Sequence, residues 1–208
     1  MAKKTEAITI SPPNFQILEF EVKGTAPLVQ ARFSQKAMAE MREKHIAGST
    51  AKTKKVRKAR DFESEFENAQ HKSIDGWVGV PAAAFRNACI DVCRMVGFKM
   101  THAKMSVFVL HDGLDQVDGQ PLVKLDVEKP EKLEMAVRNA TGVADLRLRP
   151  MWREWGLKLK VRFDADQFTA SDIANLVERA GTQIGIGEGR PYSKMSNGLG
   201  FGTFTVQN

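Results

Sequence analysis

Gly181–Val206 reads GTQIGIGEGRPYSKMSNGLGFGTFTV and carries seven of the chain's 16 glycines, at 181, 185, 187, 189, 198, 200 and 202. Glycine at this density marks backbone that takes positive φ or that another group approaches closely, since a Cβ clashes in either case. The stretch also holds Arg190, Tyr192 and Lys194, two cations and a ring, which suit a sugar-phosphate chain and its bases. Just upstream, Thr169 or Ser171 as N-cap and a stripe of Ile173, Leu176, Val177 and Ala180 predict a helix, with Gly181 as the C′ residue that ends it. Downstream, Leu199 to Val206 predicts the last strand. The C-terminal unit is thus helix, glycine-rich loop 181–202 and strand, and it reads either as a hairpin closing a sheet or as a binding loop.

Two nucleotide motifs do not fit it. Gly185, Gly187 and Gly189 give G-x-G-x-G, whereas a dinucleotide fingerprint needs G-x-G-x-x-G after a strand and opening a helix; here a helix precedes and Pro191 follows. No glycine is followed by Lys and then Ser or Thr, as a P-loop requires.

At 208 residues and 42% hydrophobic content, the chain can bury the core of one large domain. No apolar run approaches the ~20 residues of a membrane span. The leader MAKKTEAITISPP has no apolar segment behind its lysines, so a cytoplasmic protein without membrane attachment is expected. Cys89 and Cys93 lie four apart in a helical pattern and read as reduced packing residues, with no second pair to complete a zinc site. No cofactor or metal is expected. A net charge of +6 favours a polyanionic partner.

From the N-terminus, Phe15 to Val22 alternates Phe15, Ile17, Glu19 and Glu21 against Leu18, Phe20 and Val22 and predicts the first strand, which bends at Gly24 and Pro27 and resumes through Leu28 to Phe33. Residues 34–73 are polar, charged and poor in large aliphatics, and read as an insertion. Within it, Lys52, Lys54, Lys55, Arg57, Lys58 and Arg60 place six cations in nine residues, either a solvated loop or a nucleic-acid-binding finger. Asp61, Glu63, Glu65 and Glu67 follow; such acids can hold Mg²⁺, and the preferred reading is that they neutralise the basic run beside them. Trp77 to Val80 predicts a short strand and Pro81 opens a helix to about Val96, whose Phe85, Ala88, Cys89, Val92, Cys93 and Val96 form the packing face. Arg86 and Arg94 are placed to touch successive phosphates or to be ordinary surface arginines. Strands are expected at Met105 to Leu110, Leu122 to Val127 and Leu133 to Asn139. A long strand in Arg147 to Phe163 sets Leu157, Leu159, Val161 and Phe163 against a cationic face of Lys158, Lys160 and Arg162.

This order predicts a single α+β domain, a ferredoxin-like or RRM-like β-α-β-β-α-β core with a large charged insertion after the first strand. RRM modules use that layout for single-stranded RNA.

Three pieces carry a resemblance. FEVKGTAPLVQARF resembles the opening strand and "xPLxx" turn of the RAMP superfamily of CRISPR proteins. WVGVPAAAFRNACIDVCR is similar to that superfamily's "IPGSSLRGALR" helix start, with Val80-Pro81 and Phe85-Arg86 on its Ile-Pro and Leu-Arg. IGIGEGRPYSKMSNGLGFGTFTV resembles its C-terminal glycine-rich loop and strand. The branch that fits best is that of the backbone subunits coating the guide RNA, whose insertion after the first strand forms palm and fingers around the RNA. The resemblance implies a non-enzymatic subunit that binds single-stranded RNA, assembles head to tail with copies of itself and joins other effector subunits. Phosphate contacts are expected from the basic run, Arg86, Arg94, Arg190 and Lys194, with Gly187, Gly189 and Tyr192 at the strand. Two other functions remain open: a metal-independent RNA endonuclease using His45, His71, His102 or His111, none of which has a sequence neighbour that marks it as catalytic, and a phage single-stranded DNA-binding or annealing protein.

Overall fold

In Phe15–Gly24, Leu18, Phe20 and Val22 turn inward while Phe15, Ile17, Glu19 and Glu21 stay exposed, and this period of two makes strand β1. The computed structural model describes residues 10–33, 35–48, 60–138, 144–194 and 196–207. After β1 come β2 (Leu28–Val29), α1 (Gln35–Ala47), α2 (Phe62–Asn68), β3 (Gly79–Pro81), α3 (Ala82–Met95), α4 (Met100–Ser106) and β4 (Val107–Val109). The order continues with β5 (Gly113–Leu114), β6 (Pro121–Lys124), β7 (Glu131–Arg138), β8 (Ala144–Trp152) and β9 (Gly156–Asp164). It ends with α5 (Ala170–Arg179), a π-helical turn at Ala180–Ile184 and β10 (Phe204–Gln207).

The architecture is α+β. The main sheet has the order β10-β1-β9-β4, and every neighbouring pair is antiparallel. Leu157, Leu159, Val161 and Phe163 of β9 are buried on one face, as their alternation requires, against Phe85, Cys89 and Val92 of α3 and Ile173 and Val177 of α5. A second sheet, β2-β8-β7, and a third, β3-β6-β5, flank it. Among the described residues, no helix is long and apolar enough to cross a membrane.

The outer face of the main sheet differs from the cationic surface expected. Glu19 and Glu21 face Lys160 and Lys158 in the β1–β9 register, with carboxylate to ammonium distances of 3.8–4.0 Å, so strand pairing supplies the acids that the β9 sequence lacks. Arg162 lies over the rings of Phe15 and Phe108 instead of presenting a free charge.

Several boundaries also differ. The long strand divides at 153–155 into β8 and β9, which belong to different sheets, because Trp155 turns in and its indole N–H donates to Ala26 O at 2.8 Å. Met105 and Ser106 finish helix α4 instead of starting a strand. Gly181 lies inside the π-helical turn, and the residue that leaves the helix at positive φ is Gly185. The last strand starts only at Phe204, since Gly200 and Gly202 take positive φ.

Segment 34–73 has two parts. Met38, Met41 and Ile46 of α1 are exposed, whereas Phe66, Ala69, Gln70 and Ser73 are buried, so the insertion rejoins the body of the protein by α2. Lys52, Lys54, Lys55, Arg57 and Lys58 lie outside the described residues.

Candidate nucleic-acid interface

The glycine-rich loop packs edge-on against β2. Glu188 N–H donates to Val29 O at 2.9 Å, and a Cβ on Gly187 would stand 2.5 Å from that same oxygen. Gly202 N–H donates to Pro27 O, and a Cβ on Gly202 would stand 1.8 Å from Ile186 O. The close approach that glycine permits at these two positions is therefore that of the protein's own backbone. Its result is a cleft.

This cleft of about 460 Å³ is walled by Leu28, Gln30 and Ala31 after β1, by Val80, Pro81 and Ala84 at the start of α3, and by the loop from Gly187 to Asn197. Val137 and Arg147 of the β7–β8 arm and His71 complete it. Segments 28–31, 80–84 and 187–197, far apart in sequence, thus converge on one depression. Its cations are Arg147 and Arg190. Arg147 Nε donates to Asp145 Oδ2 at 3.2 Å and its Nη1 lies 3.7 Å from Glu188 Oε1, while Arg149 takes the other Glu188 oxygen at 2.5 Å. Arg190 donates to Gly187 O at 3.0 Å and Tyr192 O at 3.2 Å, which holds the loop's curvature and leaves its charge at the cleft wall. Ser193, Ser196 and Asn197 add neutral polar groups.

Behind His71 lies a buried polar cluster. Asp115 has no exposed side-chain surface; its Oδ1 accepts from Arg32 Nη2 at 2.8 Å and from Val117 N–H at 2.9 Å, and its Oδ2 lies 3.1 Å from His71 Nδ1. Gln30 fixes the histidine's backbone by accepting from His71 N–H at 2.9 Å while donating to Gly79 O at 2.8 Å. Burial holds the His71 imidazole below its ordinary pKa, against the opposing pull of Asp115. The neutral ring then gives its Nδ1 hydrogen to the carboxylate. Nε2, with no partner among the described residues, keeps a lone pair at the cleft.

The sequence-derived candidates divide sharply. Gly187, Gly189 and Arg190 line the cleft, with Tyr192 and Lys194 exposed on the same loop. Arg86 is used structurally: it donates to Val107 O at 2.9 Å and to Lys104 O, carbonyls at the end of α4, and lies over the Phe108 ring. Arg94 is exposed on α3 and does not line the cleft. Arg60 spans Glu65, at 2.5 Å, and Asp145, at 2.7 Å; the Glu65 contact raises the Arg60 pKa further and lowers that of Glu65, while Asp145 is held low by Arg147 first and Arg60 second. The other acids near it are engaged as well: Asp61 caps α2 at Ser64 N–H, Glu63 meets Lys132 and Glu67 meets Lys72, each ion pair at 2.6 Å.

Gln30, Arg32, Asp115, Arg147 and Glu188 escaped the sequence reading. His71 and Asp115 are 44 positions apart, so no local spacing announces the pair. The one available signal was the excess of Asp in the turn-rich stretch DGLDQVDG. His45, His102 and His111 are exposed and away from the cleft. No known family model matches the chain, and no curated protein matches it in sequence.

Proposed function

We propose that the protein is a non-enzymatic subunit that binds single-stranded RNA in this cleft and repeats head to tail along the strand, in the manner of RAMP backbone subunits. The observation that carries the reading is the convergence of Leu28–Gln30, Val80–Ala84 and Gly187–Asn197 on one depression with Arg147 and Arg190 at its wall. Those are the three segments on which the resemblance rests. A ferredoxin-like core is part of the proposal, supported by the antiparallel order β10-β1-β9-β4 with α3 between β1 and β4 and α5 between β9 and β10. Neutralised acids and cations on the outer sheet face favour the cleft over that face as the path of the strand.

The test is purification followed by separate RNase and DNase digestion of the accompanying nucleic acid, then titration of a labelled single strand. RNase-sensitive material and an affinity that falls when Arg147 is changed to Ala support the reading. DNase-sensitive material, or binding indifferent to Arg147, overturns it.

One observation favours a second reading, the metal-independent endonuclease. His71 is an imidazole oriented by a buried carboxylate beside the cleft, which is the arrangement of a general base. Labelled RNA incubated in EDTA with excess protein separates the two: the subunit leaves it intact, and products that vanish in His71→Ala establish the nuclease.

A further inference from the structure

We infer that His71 Nε2 accepts a hydrogen bond from a ribose 2′-hydroxyl of the strand in the cleft, making this residue the determinant of RNA over DNA. The inference rests on the proposed reading of the cleft and adds the sugar chemistry that the reading leaves open.

Donors and acceptors decide what the cleft can hold. Phosphate oxygens only accept, so cations and N–H groups serve them. Arg147, Arg190 and the hydroxyl of Ser193 supply such donors, whereas the Ser196 hydroxyl gives its hydrogen to Arg190 O. His71 is different. Its Nδ1 side is committed to Asp115, whose other oxygen is committed to Arg32, and the side chains of that pair are 0% and 4% exposed. The buried pair fixes the tautomer, and Gln30 fixes the position of the backbone behind it. What reaches the cleft is a single acceptor on a ring 13% exposed, and an acceptor repels phosphate. Its ligand must carry a hydrogen. Along a nucleic-acid backbone the one group that does so is the 2′-hydroxyl, present in RNA and missing from DNA. Base amino groups are the other donors on a strand, and they are common to both polymers, so the sugar can be tested separately.

Three labelled strands of one sequence separate these sources: RNA, its 2′-fluoro analogue, which lacks the 2′ donor, and DNA. The full-length protein should bind RNA about fivefold more tightly than the 2′-fluoro strand, the worth of one neutral hydrogen bond. His71→Phe keeps the ring's bulk and removes the acceptor, and should erase that ratio while leaving 2′-fluoro and DNA affinities within about twofold.

A pH series on the unaltered protein gives a second measurement, which stands if the variant does not fold. Asp115, Arg32 and Asp118 face His71 from behind, and Arg147, Arg190 and Glu188 share the cleft. Protonation of the imidazole replaces the acceptor by a donor, so the RNA to 2′-fluoro ratio should collapse towards one as pH falls below the ordinary histidine value, while affinity for every strand rises. A ratio of one at neutral pH, or a ratio unchanged both in folded His71→Phe and at low pH, overturns the inference and leaves single-strand binding standing. Failure to bind any of the three strands overturns both.

Discussion

Asp115 holds the buried polar cluster behind the cleft together. It is wholly buried, yet Arg32, Val117 N–H and His71 all depend on it. Asp115→Ala leaves the Arg32 guanidinium buried, with only Asp118 Oδ2 at 3.7 Å to face it, and should cost about 3 kcal/mol in urea unfolding. An unchanged midpoint would show that water replaces the carboxylate. His71 makes a second residue-scale prediction. Its folded pKa is depressed by burial, so the unfolded chain binds the extra proton first as pH falls. Stability attributable to His71 is therefore complete above the unfolded histidine value, about 6.5, and is lost progressively as pH drops below it. Urea midpoints compared at pH 7.5 and 5.5 check this, and the part of the decline due to His71 should disappear in His71→Phe.

Among elements, those with one buried face were legible in the sequence: β1, α3, β9 and α5 follow their periodicities, although Val96, expected on the packing face of α3, is its exposed C-cap residue. For α5 the sequence offered Thr169 or Ser171 as N-cap, and Thr169 takes the role, exchanging hydrogen bonds with Asp172 as a capping box. Where a tertiary contact sets the boundary, local pattern failed. Trp155 breaks β8 from β9 by turning to Ala26, and at the junction of α4 and β4 Arg86, distant in sequence, bonds Lys104 O and Val107 O. The insertion shows the same division. Replacing residues 35–59 by a linker of about ten Gly and Ser residues should leave the melting temperature unchanged, because Met38, Met41 and Ile46 of α1 are exposed. Extending the deletion to Lys72 removes buried Phe66, Ala69 and Gln70 and should lower it sharply. Circular dichroism melts of the two deletions decide between an insertion that ends before α2 and one that includes it.

At the scale of the whole molecule, binding to a single strand should be dominated by phosphate contacts, because the chain carries +6 and only one tyrosine. Affinity plotted against salt on logarithmic axes should fall with a slope of about 0.7 per phosphate neutralised. Changing Lys54, Lys55, Arg57 and Lys58 together to Ala should flatten that slope, and an identical slope would make the basic run a bystander. Head-to-tail repetition follows a heterologous contact, whereas an isologous contact closes at two copies. On a long single strand, electron microscopy should show filaments for the intact protein and none for the 35–59 deletion. Discrete dimers, or filaments that survive the deletion, would remove the insertion from the assembly.

What depends on neighbours along the chain was legible before any tertiary contact: the α+β class, the inward faces of β1, β9, α3 and α5, and the need for positive φ in the C-terminal loop. Each follows from local periodicity or from the absence of a Cβ, which no partner alters. Only the tertiary structure decided which charges remain free. Lys158 and Lys160 read as a cationic face until β1 sets Glu19 and Glu21 beside them, and Arg86 reads as a phosphate contact until α4 and β4 each offer it a carbonyl. His71, an unremarkable histidine in sequence, gained an orienting carboxylate because the chain folds Asp115 beside it. Charge and hydrogen-bond partnership act through space, so they stay undetermined until non-local strands are in register.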